Sequence, residues 1–149
     1  STNSKSGELF FFSHDRHFVI KTIGGKEYSV LARLIPAYQH HIYRFPRSFI
    51  VRFAGLFCLE LSGAKPVYFI VMASVFDPSC SLQHIFDLKG SSYKRKKKEG
   101  ESVGKDEDWI ASNQKLQVSA EMRRQLCAIH EQDALLLARF RIMDYSVLV

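Results

Sequence analysis

The sequence has no apolar run approaching the roughly 20 residues of a membrane-spanning helix, and its polar start is no signal peptide. Cysteine is scarce. Cys58, Cys80 and Cys127 are odd in number and lack metal-ligand spacing, which points to free, reduced thiols in an intracellular protein rather than to a disulfide framework or a zinc site. Internal repeats are absent, and low complexity is confined to one lysine and arginine run. What is present is core-forming material: 46% of the residues are hydrophobic and 13% aromatic, too many for a disordered chain. At 149 residues there is room for one compact domain, or for one lobe and the beginning of another. A formal net charge of +6 suits an anionic partner, whether nucleic acid, an acidic membrane surface or a phosphorylated substrate.

One stretch organises the rest. Phe86-Asp87-Leu88-Lys89-Gly90-Ser91 brings an acid, a lysine, a glycine and, with Ser92, two hydroxyls to the end of an apolar segment. A carboxylate to orient, an ammonium to neutralise and a glycine for close backbone approach are what a phosphorylated ligand requires. Tyr93 follows, and then the basic run Lys94-Arg95-Lys96-Lys97-Lys98, a separate electrostatic device for something anionic and larger.

Residues 1–7 are small and polar and read as a flexible entry or loop. Glu8 to Ser13 and His17 to Thr22 read as two strands of a hairpin around the turn His14-Asp15-Arg16. A small-residue loop before a hairpin whose second strand ends in Lys21 would put backbone amides over a phosphate with a lysine beside it; taken alone, Lys21 reads as an exposed strand residue. From Lys26 to Ile35 the positions Val30, Leu31, Leu34 and Ile35 repeat at helical spacing, and Pro36 is expected to stop the helix. Glu27 lies in its first turn, where it could stabilise the dipole or reach back to Lys21. Tyr38 to Arg47 is aperiodic and reads as a loop or short helix, with His40 and His41 as surface residues. Phe49 to Leu61 and Pro66 to Ser74 form a second, longer hairpin, followed by Val75, Phe76 and a turn at Asp77-Pro78-Ser79.

Gln83 to Leu88 is a further short strand, and Gly100 to Asp108 a charged, mobile loop that Trp109 packs down. Ser119 is a good N-cap for a helix running to about Arg139, with Met122, Leu126, Ile129, Leu136, Leu137 and Phe140 on one stripe and Asp133 interrupting it as a satisfied structural carboxylate. In the last segment Asp144 is framed by Met143, Tyr145 and Ser146 before the apolar Val147-Leu148-Val149. A strand this apolar needs partners, so the natural chain is expected to continue. The fold class is α+β with a mainly antiparallel sheet.

Taken in order, these landmarks resemble the phosphatidylinositol phosphate kinase family. The resemblance is carried by Ser4-Lys5-Ser6-Gly7, Phe10-Phe11-Phe12-Ser13, Phe18-Val19-Ile20-Lys21, Phe86-Asp87-Leu88-Lys89-Gly90-Ser91 and Met143-Asp144-Tyr145-Ser146-Val147-Leu148. It covers nearly the whole chain. The resemblance implies a two-lobed kinase-like fold whose N-terminal sheet is flanked by helices and whose C-terminal lobe is only begun: about 1–93 a nucleotide-binding lobe, about 94–108 a basic and charged loop, about 109–149 the start of the second lobe. An ordinary protein kinase is disfavoured, since GxGxxG and HRD segments are absent. A nucleic-acid-binding domain is disfavoured too, since no stacking motif or recognition helix accompanies the basic run.

The resemblance further implies ATP and Mg²⁺ as cofactors and an inositol-ring hydroxyl of a phosphatidylinositol phosphate as acceptor. Ser6 and Gly7 look like part of a degenerate glycine-rich loop over the phosphates. Lys21 looks like the strand lysine on the α- and β-phosphates, Glu27 its ion-pair partner, and Ser74, Val75 and Phe76 the hinge that receives the purine. Lys89 looks placed to neutralise the transferring phosphoryl group, with Asp87 beside it and Asp144 as the catalytic aspartate facing the hydroxyl. Lys94, Arg95, Lys96, Lys97 and Lys98 would meet an anionic leaflet, which implies a cytoplasmic protein peripheral to the cytosolic face of a membrane. A homodimer is left open. The activation loop and a later metal-binding aspartate are not in the sequence, so little kinase activity is expected of these 149 residues alone; a silent phosphoinositide- and nucleotide-binding module is the alternative.

Overall fold

Turn chemistry and alternation build the first hairpin. The computed structural model describes residues 2–3, 9–76 and 79–149. β1 (Thr2–Asn3) pairs with β2 (Leu9–Phe12), and β2 pairs with β3 (Phe18–Ile23), all antiparallel. Asp15 closes the turn by accepting from the Ser13 hydroxyl and from the His17 N–H at 3.0 Å. The expected loop residues Ser6 and Gly7 lie outside the described residues, as do Asp77 and Pro78 of the expected second turn.

By its contacts the chain divides into two units. The first comprises residues up to Cys80 together with Ile129–Leu136; the second comprises Ser81–Ala128 with Leu137–Val149. In the first unit, α1 (Gly25–Arg44) follows β3, and then β4 (Phe53–Leu59) and β5 (Val67–Ala73) form the longer hairpin. The sheet order is β1-β2-β3-β5-β4, so β3 and β5 are interior and β4 is an edge. Lys21 on β3 sits opposite Phe10 on one side and Ile70 on the other. β4 bulges between Phe53 and Gly55, where a Cβ on Gly55 would run into the Phe57 ring.

Pro36 does not end α1, contrary to the expectation from sequence. The helix runs on to Arg44, and the stretch from Tyr38, read as a loop or short helix, supplies its last turns. A proline inside a helix costs about 3 kcal/mol through a lost hydrogen bond and a clash with the preceding turn. Here it is offset by what the continuation buries: Tyr38 and His41 lie on α1 past Pro36 and are nearly inaccessible. The Tyr38 hydroxyl donates to Val51 O at 3.0 Å, accepts from Phe53 N at 2.9 Å, and its ring packs on Phe53. Breaking the helix at Pro36 would give up all of this.

His41 is a second correction. It is not a surface residue but 7% exposed, with Nε2 2.7 Å from Asp133 Oδ1. A carboxylate can only accept, so that nitrogen carries the proton. Asp133 Oδ2 accepts the Phe49 N–H at 2.7 Å. The acid that breaks the apolar stripe is thus a satisfied structural carboxylate.

In the second unit, β6 (Asp87–Leu88) pairs antiparallel with β7 (Val147–Leu148). On its other side the same segment bonds Gly104: Asp87 donates to Gly104 O at 2.9 Å and Gly104 donates to Ile85 O at 2.8 Å. Phe86 is buried with its ring edge-on to Trp109, 5.1 Å between centroids. Trp109 belongs to α2 (Asp106–Ser112), so the acidic triplet expected to close a loop instead opens a helix. α3 (Ala120–Arg139) begins where Ser119 caps it, its hydroxyl accepting from Met122 N at 3.1 Å. The fold class is α+β with a mainly antiparallel sheet, as expected; the described residues form three helices, of which α2 was not expected.

Candidate active site

In the first unit, the register of β3 presents Lys21, and the glycine pair after the strand starts α1 at once, so Glu27 falls in its first turn. Their side chains meet at 3.5 Å, with Lys21 22% and Glu27 44% exposed. An ammonium on an interior strand, held by a carboxylate from the next helix, suits contact with nucleotide phosphates. Ser29, two residues after Glu27 on α1, turns its hydroxyl back to Gly25 O at 2.9 Å and offers Lys21 no charge. At the end of β5, Ser74 donates its N–H to His17 O at 2.7 Å, and its hydroxyl reaches the backbone of Phe76. Val75 and Phe76 are exposed.

In the second unit, the β6–β7 pair brings together residues far apart in sequence. Asp87 sits opposite Leu148 and Leu88 opposite Val147, so the chain just after β6 and the chain just before β7 come to the same end. There the Lys89 ammonium makes an ion pair with the Asp144 carboxylate. Asp144 is 87% exposed and Lys89 32%, so the pair faces outward. The Lys89 hydrogen bond and charge hold Asp144 below the usual carboxylate range. Asp87, the other acid of the motif, is engaged by Arg95, whose Nη2 donates to its Oδ2 at 3.0 Å and also to its backbone carbonyl.

The basic run does not act as a block. Lys94, Lys96, Lys97 and Lys98 are exposed, whereas Arg95 is turned inward, 14% exposed, between Asp87 and Asp106. Asp106, which sequence reasoning passed over as part of a loop, is 8% exposed and accepts from Arg95 Nε at 2.8 Å. It also accepts the backbone N–H groups of Lys89, Gly90 and Ser91 at 3.0, 2.8 and 3.3 Å. Burial by itself would raise its pKa, but Arg95 and the Gly90 and Lys89 amides outweigh burial and lower it from the ordinary 3.8 to about 2. The available signal was the Asp-Glu-Asp triplet before an apolar pair, which also fits the first turn of a helix.

A carboxylate with a depressed folded-state pKa stabilises the fold above its unfolded value and loses that contribution as pH falls through the folded one. For Asp106 the window runs from about pH 4 down to about 2, and the stabilisation is about 2 kcal/mol. The gap in unfolding free energy between native protein and Asp106→Asn should narrow by that amount across this window. Denaturant titrations at stepped pH measure it, and a pH-independent gap would refute the assignment.

Lys21 and Glu27 fit a nucleotide triphosphate. Mg²⁺ is a different matter: among the described residues no three His, Cys, Asp or Glu side chains converge into a metal shell. No helix among the described residues is long and apolar enough to cross a membrane. A family model described as Phosphatidylinositol-4-phosphate 5-Kinase matches residues 1–149. The chain is similar to phosphatidylinositol 4-phosphate 5-kinase type-1 alpha of Rattus norvegicus, 37% identical with 100% of this chain and 28% of that protein covered. The Homo sapiens type-1 alpha protein is 36% identical, with 99% and 27% covered. Phosphatidylinositol 4-phosphate 5-kinase 1 of Arabidopsis thaliana is 37% identical, with 100% and 20% covered. The chain therefore spans about a fifth to somewhat over a quarter of these relatives' length.

Proposed function

The chain belongs to the phosphatidylinositol-4-phosphate 5-kinase family, and from that premise we propose that it carries the nucleotide-binding and phosphoryl-transfer residues of an ATP-dependent lipid kinase. The acceptor is an inositol-ring hydroxyl of a phosphatidylinositol phosphate, reached from the cytosolic face of an anionic membrane. The observation that carries this reading is the Lys89–Asp144 ion pair, which joins the two motifs through the β6–β7 ladder.

ATP, when bound, supplies the transferable phosphoryl group. Lys21, steadied by Glu27, binds its phosphates, and Ser74, Val75 and Phe76 receive the purine. Phosphoryl transfer passes through a loose transition state that needs placement and charge neutralisation more than a strong base. Asp144 meets that need. Held acidic by Lys89, it is ionised at neutral pH and a weak base, so it orients the hydroxyl and takes its proton late. Lys89 presents its charge to the transferring group. Asp87, tied to Arg95, keeps the backbone below Lys89 in place. Mg²⁺, when bound with ATP, would neutralise phosphate charge, and no described residue is assigned to hold it.

The four exposed lysines serve membrane attachment, at about 1 kcal/mol each near an anionic leaflet. Arg95 stays with Asp87 and Asp106. The test is transfer of labelled phosphate from ATP to phosphatidylinositol phosphate in vesicles by the full-length protein. Reversing Lys94, Lys96, Lys97 and Lys98 to Glu should depress vesicle turnover far more than turnover of a soluble short-chain lipid, and more at low salt than at high. No transfer by the native protein, or equal loss on both substrates, would count against this reading.

A further inference from the structure

Lys89 has no regular element beneath it. β6 ends at Leu88, and the chain then turns through Gly90, whose φ of 71° lies in the left-handed region. An ammonium on such a turn would be poorly placed for work that depends on ångström-scale geometry. The turn is held by one side chain from elsewhere in the sequence. Asp106 Oδ1 accepts from Lys89 N, Gly90 N and Ser91 N at 3.0, 2.8 and 3.3 Å, and Oδ2 lies 3.3 Å from Lys89 N. Three successive amides converging on one anion form a nest, the arrangement that commonly cradles a phosphate. Here the protein fills it with its own carboxylate.

The holder is itself held. Asp106 is nearly buried, and Oδ2 also accepts Arg95 Nε at 2.8 Å. Arg95 simultaneously grips Asp87, two residues before Lys89. At the start of α2, Asp108 accepts from Lys105 N at 2.9 Å and from Lys97 N at 2.8 Å, while Glu107 N donates to Arg95 O at 2.9 Å. The first turn of α2 and the segment from Asp87 to Lys97 therefore fix each other.

We propose that Asp106 is a positioning residue for Lys89: through the amides of Lys89, Gly90 and Ser91 it sets the point from which the ammonium meets Asp144 and the transferring phosphoryl group. This rests on the kinase reading above for what Lys89 does. Asp106 is no catalytic residue, because its oxygens are occupied by the turn and by Arg95. The link is short, since the amide bonded to Asp106 is Lys89's own. Letting the turn relax by about 1 Å should cost about 100-fold in turnover.

The test uses Asp106→Ala and Asp106→Asn in the full-length protein, with hydrogen exchange of individual amides alongside kinetics. Asp106→Ala should lose protection at Lys89, Gly90 and Ser91 while the α3 amides exchange as in the native protein. Its kcat should fall about 100-fold with the KM for ATP little changed. Asp106→Asn keeps one accepting oxygen, so its loss of protection and of kcat should be intermediate; it decides the question if the alanine variant does not fold. Native protection of the three amides in the variants, or a rate loss that follows only the fraction of unfolded protein, would overturn the proposal. The two readings fail separately. Exchange reports the hold on the turn without reference to turnover, whereas normal turnover in Lys89→Ala would remove the role of Lys89 and leave the hold intact.

Discussion

Lys89→Ala in the full-length protein is expected to lower kcat by about 1,000-fold, and Asp144→Asn by a similar factor. One preorganised charge aimed at a developing negative charge is worth about 10²–10³ in rate, and one general base about 10²–10⁴. A thousandfold is about 4 kcal/mol of barrier. The two residues form an ion pair, so they should not act independently. Each single change removes the partner the other is aimed at, and the double variant should be only a little slower than either single one. Folding should be nearly unaffected, since an ion pair this exposed contributes under about 1 kcal/mol to stability. Rate measurements at saturating ATP, with thermal unfolding as the control, separate the outcomes. Near-native turnover in either single variant, or effects that multiply in full, would rule out a shared role.

The largest stability effect is expected at the other buried carboxylate. Asp133→Ala takes the acceptor from His41 Nε2 and Phe49 N, leaving a buried ring N–H and a half-buried amide without a partner. Breaking such a pair costs about 3–5 kcal/mol, which for a chain of this size lowers Tm by about 10 °C. Asp133→Asn should cost less, because its carbonyl oxygen still accepts one of the two hydrogen bonds. Replacing both His41 and Asp133 by apolar residues of similar volume should recover part of the loss, as uncompensated burial is the costly term. An alanine variant that unfolds within about 1 °C of the native protein would show that the pair carries no weight.

The comparison between these two carboxylates shows how far the linear sequence reaches. Asp144 stood out from its neighbours alone, because an acid between Met143 and Tyr145 ahead of an apolar strand has little local reason to be there. Asp133 stood out for interrupting an apolar stripe, but its partner did not: His41 lies 92 positions away and was read as a surface residue. Asp106 was passed over altogether. Its role depends on three amides 15 to 17 positions back, and no spacing rule connects a helix start to a distant turn.

Arg95 makes the same point in reverse. Among Lys94, Lys96, Lys97 and Lys98 it looked like one more charge for an anionic leaflet, yet only its guanidinium is drawn in. Its planar fork reaches Asp87 and Asp106 together, which a lysine's single ammonium could not do with the same geometry.

What the sequence determined by itself is therefore local. The turn at Asp15, the Ser119 cap, the strands around Lys21 and the motif at Asp87 and Lys89 follow from hydrogen bonds and alternation within a few residues. Tertiary structure decided the rest: that α1 runs through Pro36, that His41 is buried, that Arg95 faces in, and that Asp106 holds the turn beneath Lys89. The reason is physical. A helix breaker worth about 3 kcal/mol, or a charge that ordinarily prefers water, is overruled only by burial and pairing with distant residues, and those partners exist only once the chain has folded.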